Sequence, residues 1–372
     1  MTSIYHKVIA LIMSPDQVAF ERLALEIFEF QFSSIPLYGA YCSNLGRTPK
    51  TVRYFAEIPP VSTVAFKYAR MESQGEVASS ASRLFLTSGT SIGKGERGRH
   101  LVLHPEVYRA SALTHLRRML FPDGRHTAML SLHPTAERMP ESSLSQMISW
   151  CVEEFGTGMV MCTATPKAVD TVAAIRFLQE TVDARTPVSI LGTTASLATL
   201  FAAMDSDRTT MELHAASRLM DTGGAKGQTV PLGAAQVMEL AGRKLGIRPE
   251  MVINEYGMTE MCSQLYDATG FNSDRQEAAG GRVKFAPPWL RAVALDPVTL
   301  SPVAPGEMGM LSFFDLANVG SVSALMTEDV GIVSEAGIAI VGRAAGDPRG
   351  CALAVEEYAS RERARAANRP MA

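Results

Sequence analysis

Residues 127–155 read TAMLSLHPTAERMPESSLSQMISWCVEEF. The apolar run Ala128–Leu132 is too short for a helix and reads as a buried strand. Ser143–Phe155 sets apolar residues three and four apart and predicts a helix. The same alternation continues downstream. Met159–Cys162, Val188–Leu191 and Arg218–Met220 read as strands, with Lys167–Thr181 and Ala195–Met204 as the helices between them. Strand–helix alternation at this spacing predicts a parallel sheet with helices on its faces. Val230–Leu245 is a further helix, closed by Gly246, and Met251–Ile253 a further buried strand.

Upstream of this block, Asp16–Phe32 reads as a helix behind Ser14-Pro15. Arg83–Leu86 is a short apolar run, and Glu106–Leu120 is helix-like again. Downstream of about Gly280 the pattern changes. Val283–Phe285, Leu290–Leu295, Met310–Phe314, Val322–Met326, Gly331–Val333 and Ile338–Val341 are strand-like and separated by Gly, Pro and Asp. Short strands with frequent turns predict a small antiparallel barrel or sheet. The expected division is an α/β core over 1–280, a β-rich barrel-like part over 281–342, and a C-terminal remnant over 343–372.

The composition excludes several classes. With 47% apolar and 20% charged residues, the 372-residue chain is neither disordered nor fibrous. Its net charge of −3 gives no basic face for a non-specific nucleic-acid binder. No apolar stretch approaches the roughly 18 residues that a membrane span needs, and the N-terminus shows no signal peptide. The five cysteines, Cys42, Cys151, Cys162, Cys262 and Cys351, follow no disulfide or zinc spacing, which fits a reducing cytoplasm.

Five segments carry candidate chemistry. Thr87-Ser88-Gly89-Thr90-Ser91-Ile92-Gly93-Lys94-Gly95 follows a strand. Its hydroxyls and backbone amides suit phosphate oxygens, because glycine admits close approach. Its glycine and lysine spacing is not that of a Walker A loop, and a plain surface turn is the competing reading. Asn254-Glu255-Tyr256-Gly257-Met258-Thr259-Glu260 follows a strand, at the usual ligand position of open α/β sheets. Tyr256 offers a face to a base, Thr259 a hydroxyl to a phosphate, and Glu260 a carboxylate to Mg²⁺. Asp221-Thr222-Gly223-Gly224-Ala225-Lys226 can lay a flat ligand along its backbone. Met326-Thr327-Glu328-Asp329, expected between two strands, offers a carboxylate to ribose hydroxyls, and Val341-Gly342-Arg343 a guanidinium.

Taken in order, these segments resemble the ANL superfamily of adenylate-forming enzymes. Thr87–Gly95 resembles its phosphate loop, Gly223-Gly224-Ala225 the GGA segment beside adenine, and Tyr256–Glu260 the YGxTE motif. Thr327-Glu328-Asp329 resembles the TGD motif and Gly342-Arg343 the GR of the hinge. The resemblance implies ATP/AMP and Mg²⁺ as cofactors. Thr87, Ser88, Gly89, Thr90 and Ser91 would hold pyrophosphate. Gly223, Gly224, Ala225, Tyr256 and Gly257 would hold adenine, and Asp329 with Arg343 the ribose. Thr259 and Glu260 would be catalytic, Glu260 as the metal ligand. Departures from the pattern are Ile92 in place of Gly, the missing Pro of the phosphate loop, and TED for TGD. The sequence ends 29 residues after Arg343, so the family's lid with its catalytic lysine is expected to be lacking.

Short relatives of this kind include the acyl-protein synthetases, which take an acyl group from AMP onto a cysteine near the C-terminus. Arg349-Gly350-Cys351-Ala352-Leu353 resembles that segment, so Cys351 is either an acyl carrier or an inert thiol. Size and motif wording also resemble truncated adenylating proteins of griseoluteic acid (phenazine antibiotic) biosynthesis. The expected substrate is a small carboxylic acid, aromatic such as a phenazine carboxylate, or alternatively fatty. His133, Thr194, Gly223 and Met258 would line its pocket, although helix capping would equally explain Thr194. A downstream reductase or acyl acceptor protein would take the product, and a homo-oligomer is left open. A catalytically weak nucleotide- or acyl-binding partner protein is the competing class.

Overall fold

The computed structural model describes residues 3–75, 80–87, 97–223, 232–267 and 283–343. The chain forms two compact units. One comprises the chain up to Ser111, the short segment Met258–Ser263 and the chain from Ala286; the other comprises Ala112–Gly257 and Gln264–Phe285. The expected boundary at 280 and nearly all of 343–372 lie outside the described residues.

In the second unit, β4 (Thr127–Ser131), β5 (Gly156–Cys162), β6 (Val188–Thr193), β7 (Arg218–Thr222) and β8 (Val252–Tyr256) run parallel, and β9 (Leu265–Asp267) pairs antiparallel with β8. The order is β5-β4-β6-β7-β8-β9. The helices between them are α5 (Ser143–Phe155), α6 (Thr171–Asp183), α7 (Thr194–Ser206) and α8 (Ala234–Leu245). Their starts follow local capping chemistry. Ser142 accepts from Ser145 N, Asp170 from Ala173 N and Thr193 from Ser196 N. Gly246 ends α8 at φ 65°, a left-handed conformation that glycine adopts without penalty. Leu130, Ile190, Leu219 and Val252 of the strands pack with Leu178, Leu197, Phe201 and Leu245 of the helices in one core. Each such fully buried side chain contributes about 1.5–3 kcal/mol.

In the first unit, α1 (Ile4–Met13), α2 (Gln17–Ser34) and α3 (Pro36–Asn44) open the chain. The α2 start is set by Asp16, whose carboxylate accepts from Val18 N. Next come β1 (Val61–Ser62), the hairpin β2 (Arg83–Leu86) and β3 (Arg99–Val102), and α4 (Pro105–Met119), which continues into the second unit. The last strands are β10 (Leu290–Leu295), β11 (Met308–Asp315), β12 (Ala324–Ser334) and β13 (Gly337–Arg343). They form the order β1-β12-β11-β10, with β13 also on β12. Among the described residues this sheet is open, so the expected barrel gives way to a sheet in which β10 pairs with β11 alone. A second correction concerns Val322–Met326 and Gly331–Val333, expected as separate strands around Thr327–Asp329. They are one strand, β12, interrupted by a bulge: Met310 faces Val330 and Ser312 faces Met326, so Thr327, Glu328 and Asp329 together oppose Leu311.

Candidate functional site

In the parallel-sheet unit, β4, β6, β7 and β8 are consecutive neighbours, and their carboxyl ends carry His133, Thr194, Gly223 and Tyr256 in turn. Ligands of open α/β sheets lie at this edge, at the point where successive connections leave in opposite directions. Here that point falls between β4, whose connection leads outward to β5, and β6, whose connection leads to β7. The N-terminus of α7 begins there at Thr194.

A buried polar network fixes this edge. The Thr194 hydroxyl donates to Asp221 Oδ1 at 2.7 Å, and Asn254 Nδ2 donates to Asp221 Oδ2 at 2.9 Å. Thr194 also reaches the Gly223 carbonyl at 3.4 Å. The Thr222 hydroxyl donates to the Glu255 carboxyl. Lys284 Nζ donates to the Asn254 carbonyl at 2.7 Å and lies 3.3 Å from Asp267 Oδ2. Asp221, Glu255, Asp267 and Lys284 are all buried. One ammonium cannot neutralise three carboxylates out of water. Burial therefore raises the Asp221 pKa and pushes Glu255 up to about 7, against the opposing Thr222 bond and Lys284 charge.

This network explains two glycines of the motifs. A Cβ at Gly257 would press on Glu255 Oε1, and the carboxyl would have to shift while bonded to Thr222. Gly223 sits at φ 89°, where only glycine is unstrained. Tyr256 is half-buried beside them. His133 is half-buried, and its carbonyl accepts from Ser131 Oγ at 2.7 Å and from Cys162 Sγ at 3.4 Å. Its buried Nε2 has no hydrogen-bond partner among the described residues, and burial lowers the ring to about 4. The structure thus brings His133, Thr194, Gly223 and Tyr256 to one edge. A cavity of about 480 Å³ in this unit opens instead at the amino end of the strands, beside Arg218, Arg248 and Ile253.

In the other unit, Thr87 closes the β2–β3 hairpin: Thr87 N donates to Gly98 O at 2.9 Å and Gly98 N to Thr87 Oγ1 at 2.8 Å. Met258 and Thr259 are half-buried and Glu260 is buried. The Thr259 carbonyl accepts from His100 Nδ1 at 2.7 Å, and the Glu260 carbonyl from Asn318 Nδ2 at 2.7 Å. Just beyond, Cys262 N donates to Asp315 Oδ2 at 3.0 Å and to Asn318 Oδ1 at 2.8 Å, and Ser263 Oγ donates to Asp315 Oδ1 at 2.6 Å. Asp329 lies at the end of the β12 bulge. Thr327 Oγ1 ties that bulge down by donating to Leu311 O at 2.9 Å and accepting from Asp329 N at 3.0 Å. Glu328 is not among the positive-φ residues, so this bulge does not need the glycine of the TGD pattern. Asp329 and Arg343 are Cα partners across β12 and β13.

Ser88, Gly89, Thr90, Ser91, Gly224, Ala225 and Cys351 lie outside the described residues. The sequence reading did not single out His100, Asn318, Asp315 or Lys284. Each acts on a backbone or side chain far along the chain, and no local motif marks such a pairing. Among the described residues no three His, Cys, Asp or Glu side chains gather as a metal cage. No described helix is long and apolar enough to cross a membrane.

Solved structures share this architecture. The 2-hydroxyisobutyryl-CoA ligase in complex with 2-HIB-AMP superposes with a TM-score of 0.63 at 14% identity, over 88% of this chain and 67% of that one. Its complex with R3-HIB-AMP gives 0.59, again at 14% identity and the same coverage. The likeness is one of fold, that of the acyl-CoA ligases just named. A family model described as "Acyl-protein synthetase, LuxE" matches residues 9–359. The chain belongs to that family. Among curated relatives, the long-chain-fatty-acid–luciferin-component ligase of Aliivibrio fischeri is 50% identical over 52 residues, 14% of either chain. The Vibrio harveyi protein of that name is 34% identical over 87 residues, 23% of this chain and 20% of the relative. The matched stretches thus cover a small part of those relatives' length.

Proposed function

We propose that the protein activates a carboxylic acid with ATP: a carboxylate oxygen attacks the α-phosphorus, pyrophosphate leaves, and an acyl-AMP remains. The observation that carries this reading is the edge where Thr194, Gly223 and Tyr256 end adjacent strands over the buried Asp221–Asn254–Lys284 network. There Gly223 leaves the backbone bare and Tyr256 offers its ring, which suits a purine. His133, with its buried neutral ring, and Thr194 serve the acid. Positioning of this kind supplies most of what phosphoryl chemistry needs.

The remaining roles rest on the motif resemblance. Thr259 holds the α-phosphate, Asp329 the ribose with Arg343, and Thr87 to Ser91 the pyrophosphate, while Met258 borders the acid. Glu260 is the proposed Mg²⁺ ligand. Mg²⁺ prefers carboxylate and phosphate oxygens, so the Glu260 carboxylate is of the type that would hold it beside a bound nucleotide. When bound, the ion offsets the charge of the leaving pyrophosphate.

In a second step the Cys351 thiolate attacks the acyl carbonyl and AMP leaves, giving a thioester for a downstream reductase or acceptor protein. Membership of an acyl-protein synthetase family supports this step. The relatives' name supports a fatty acid over a phenazine or other aromatic acid. The test is acid-dependent exchange of pyrophosphate into ATP. Exchange with long-chain acids, lost in Glu260→Gln, is expected. ATP binding without exchange across fatty and aromatic acids would replace the reading with a nucleotide-binding partner protein.

A further inference from the structure

The hydrogen bond between His100 and the Thr259 carbonyl links two stretches that are 159 residues apart. His100 lies on β3, two residues after Gly98, the residue that closes the hairpin on Thr87. Thr259 stands next to Glu260 in the YGMTE stretch. A carbonyl oxygen only accepts, so His100 Nδ1 carries the proton. The ring is buried, 2% exposed, packs edge-on against Phe66 at 5.8 Å, and is held neutral by burial at about 4. It therefore keeps one tautomer through the physiological range. The Thr259 and Glu260 carbonyls are thus each gripped by a side chain at 2.7 Å: His100 from the hairpin and Asn318 from the turn after β11. Asn318 is itself held, because its carbonyl accepts from Gln31 Nε2 at 2.9 Å and its Oδ1 from Cys262 N.

We propose that His100 is a positioning residue for the Thr259–Glu260 pair: its Nδ1–H fixes the Thr259 carbonyl relative to the β2–β3 hairpin, and so sets where the Thr259 hydroxyl and Glu260 carboxylate meet the nucleotide. This rests on the adenylation reading above. A hydroxyl and a carboxylate that stabilise developing charge act through pre-set geometry. A freed backbone carbonyl lets that geometry drift, and loss of one such pre-set group typically costs ~10²-fold in rate.

The test compares two full-length variants. His100→Phe keeps the ring packing against Phe66 and removes the donor. His100→Asn places an amide N–H near the Nδ1 position. Pyrophosphate exchange and MgATP affinity by calorimetry are measured on each, with thermal melting to normalise for folded protein. His100→Phe is expected to lower kcat about 10²-fold per folded molecule with the KM for the acid within about threefold, and His100→Asn to recover at least tenfold of that. Equal kcat in wild type and His100→Phe overturns the proposal, as does equal loss in both variants. If wild type shows no exchange, the adenylation reading fails, and MgATP affinity decides for His100. Tenfold weaker binding in His100→Phe that His100→Asn restores supports it. Unchanged or undetectable binding overturns it.

Discussion

Thr222 and Glu255 face each other across β7 and β8, and the threonine hydroxyl donates to the buried glutamate carboxyl one residue before Tyr256. The pairing places an acid of near-neutral pKa at the base of the candidate nucleotide edge, where Gly257 exists to leave it room.

This acid makes stability depend on pH in a definite direction. Its folded pKa, about 7, lies above its ordinary value of 4.5. The stabilisation is complete below about 4.5 and is lost as pH rises to about 7, above which both states are ionised. Asp315, raised to about 6 by burial, acts with the same sign. His100, His115 and His133, lowered to about 4, act oppositely: their contribution is present above about 6.5 and is lost as pH falls. The opposing groups flatten the wild-type curve, so the difference from Glu255→Gln is the informative quantity. In urea titrations the variant should gain stability over wild type between pH 4.5 and 7, with a plateau above. A constant difference across that range would show that Glu255 does not titrate as a buried acid.

Most of the parallel-sheet unit could be read from local pattern. Ala128–Leu132, Val188–Leu191 and Met251–Ile253 are short apolar runs between amphipathic segments, and each became a strand within one to three residues of its expected ends. Their carboxyl ends were legible for the same reason, which is why His133, Thr194, Gly223 and Tyr256 were found together. The antiparallel sheet was harder. Whether β12 is one strand or two depends on how Thr327–Asp329 is accommodated opposite Leu311, and cross-strand register leaves no trace in local composition. Closure of a sheet is likewise a long-range property. The Lys284–Asn254 and His100–Thr259 pairs escaped notice because a lone lysine or histidine in an unremarkable stretch reads as solvent-facing or core until its partner is placed.

A different pair should govern stability without touching chemistry. Arg218 is 1% exposed and holds Asp123 through two bonds, at 3.0 and 2.9 Å, while also donating to Leu120 O at 2.7 Å. It starts β7, at the end of the strand opposite Gly223. Asp123→Ala leaves a buried guanidinium short of its counter-charge and should cost about 3 kcal/mol. The Arg218 bond holds the Asp123 carboxyl below its ordinary 3.8, so this contribution is present above that value and fades as pH falls through the depressed one. Chemical denaturation at pH 7 and at pH 3 should therefore show a large gap between variant and wild type at neutral pH and a smaller one in acid. The kcat per folded molecule should stay within about twofold; a much larger drop would mean that the amino edge of the sheet communicates with the site.

The bulge in β12 gives a separate handle on the ribose assignment. Thr327 is buried, and its hydroxyl both donates to Leu311 O and accepts from Asp329 N, so one side chain holds the three-residue excursion that presents Asp329. Bulges re-aim side chains, and the Thr327 hydroxyl ties this one to Leu311 on one side and to Asp329 on the other. Thr327→Val keeps the volume and removes both bonds, which should destabilise the protein by about 1–3 kcal/mol. Thr327→Ser keeps the hydroxyl and should cost less than Thr327→Val. If Asp329 binds the ribose, the valine variant should raise the KM for ATP about tenfold, leave the KM for the acid within about threefold, and be largely restored by serine. Steady-state exchange kinetics on the two variants, read beside their melting curves, separate the outcomes. A valine variant that melts early yet keeps its ATP KM would show that the bulge serves the sheet and that the ribose is held elsewhere.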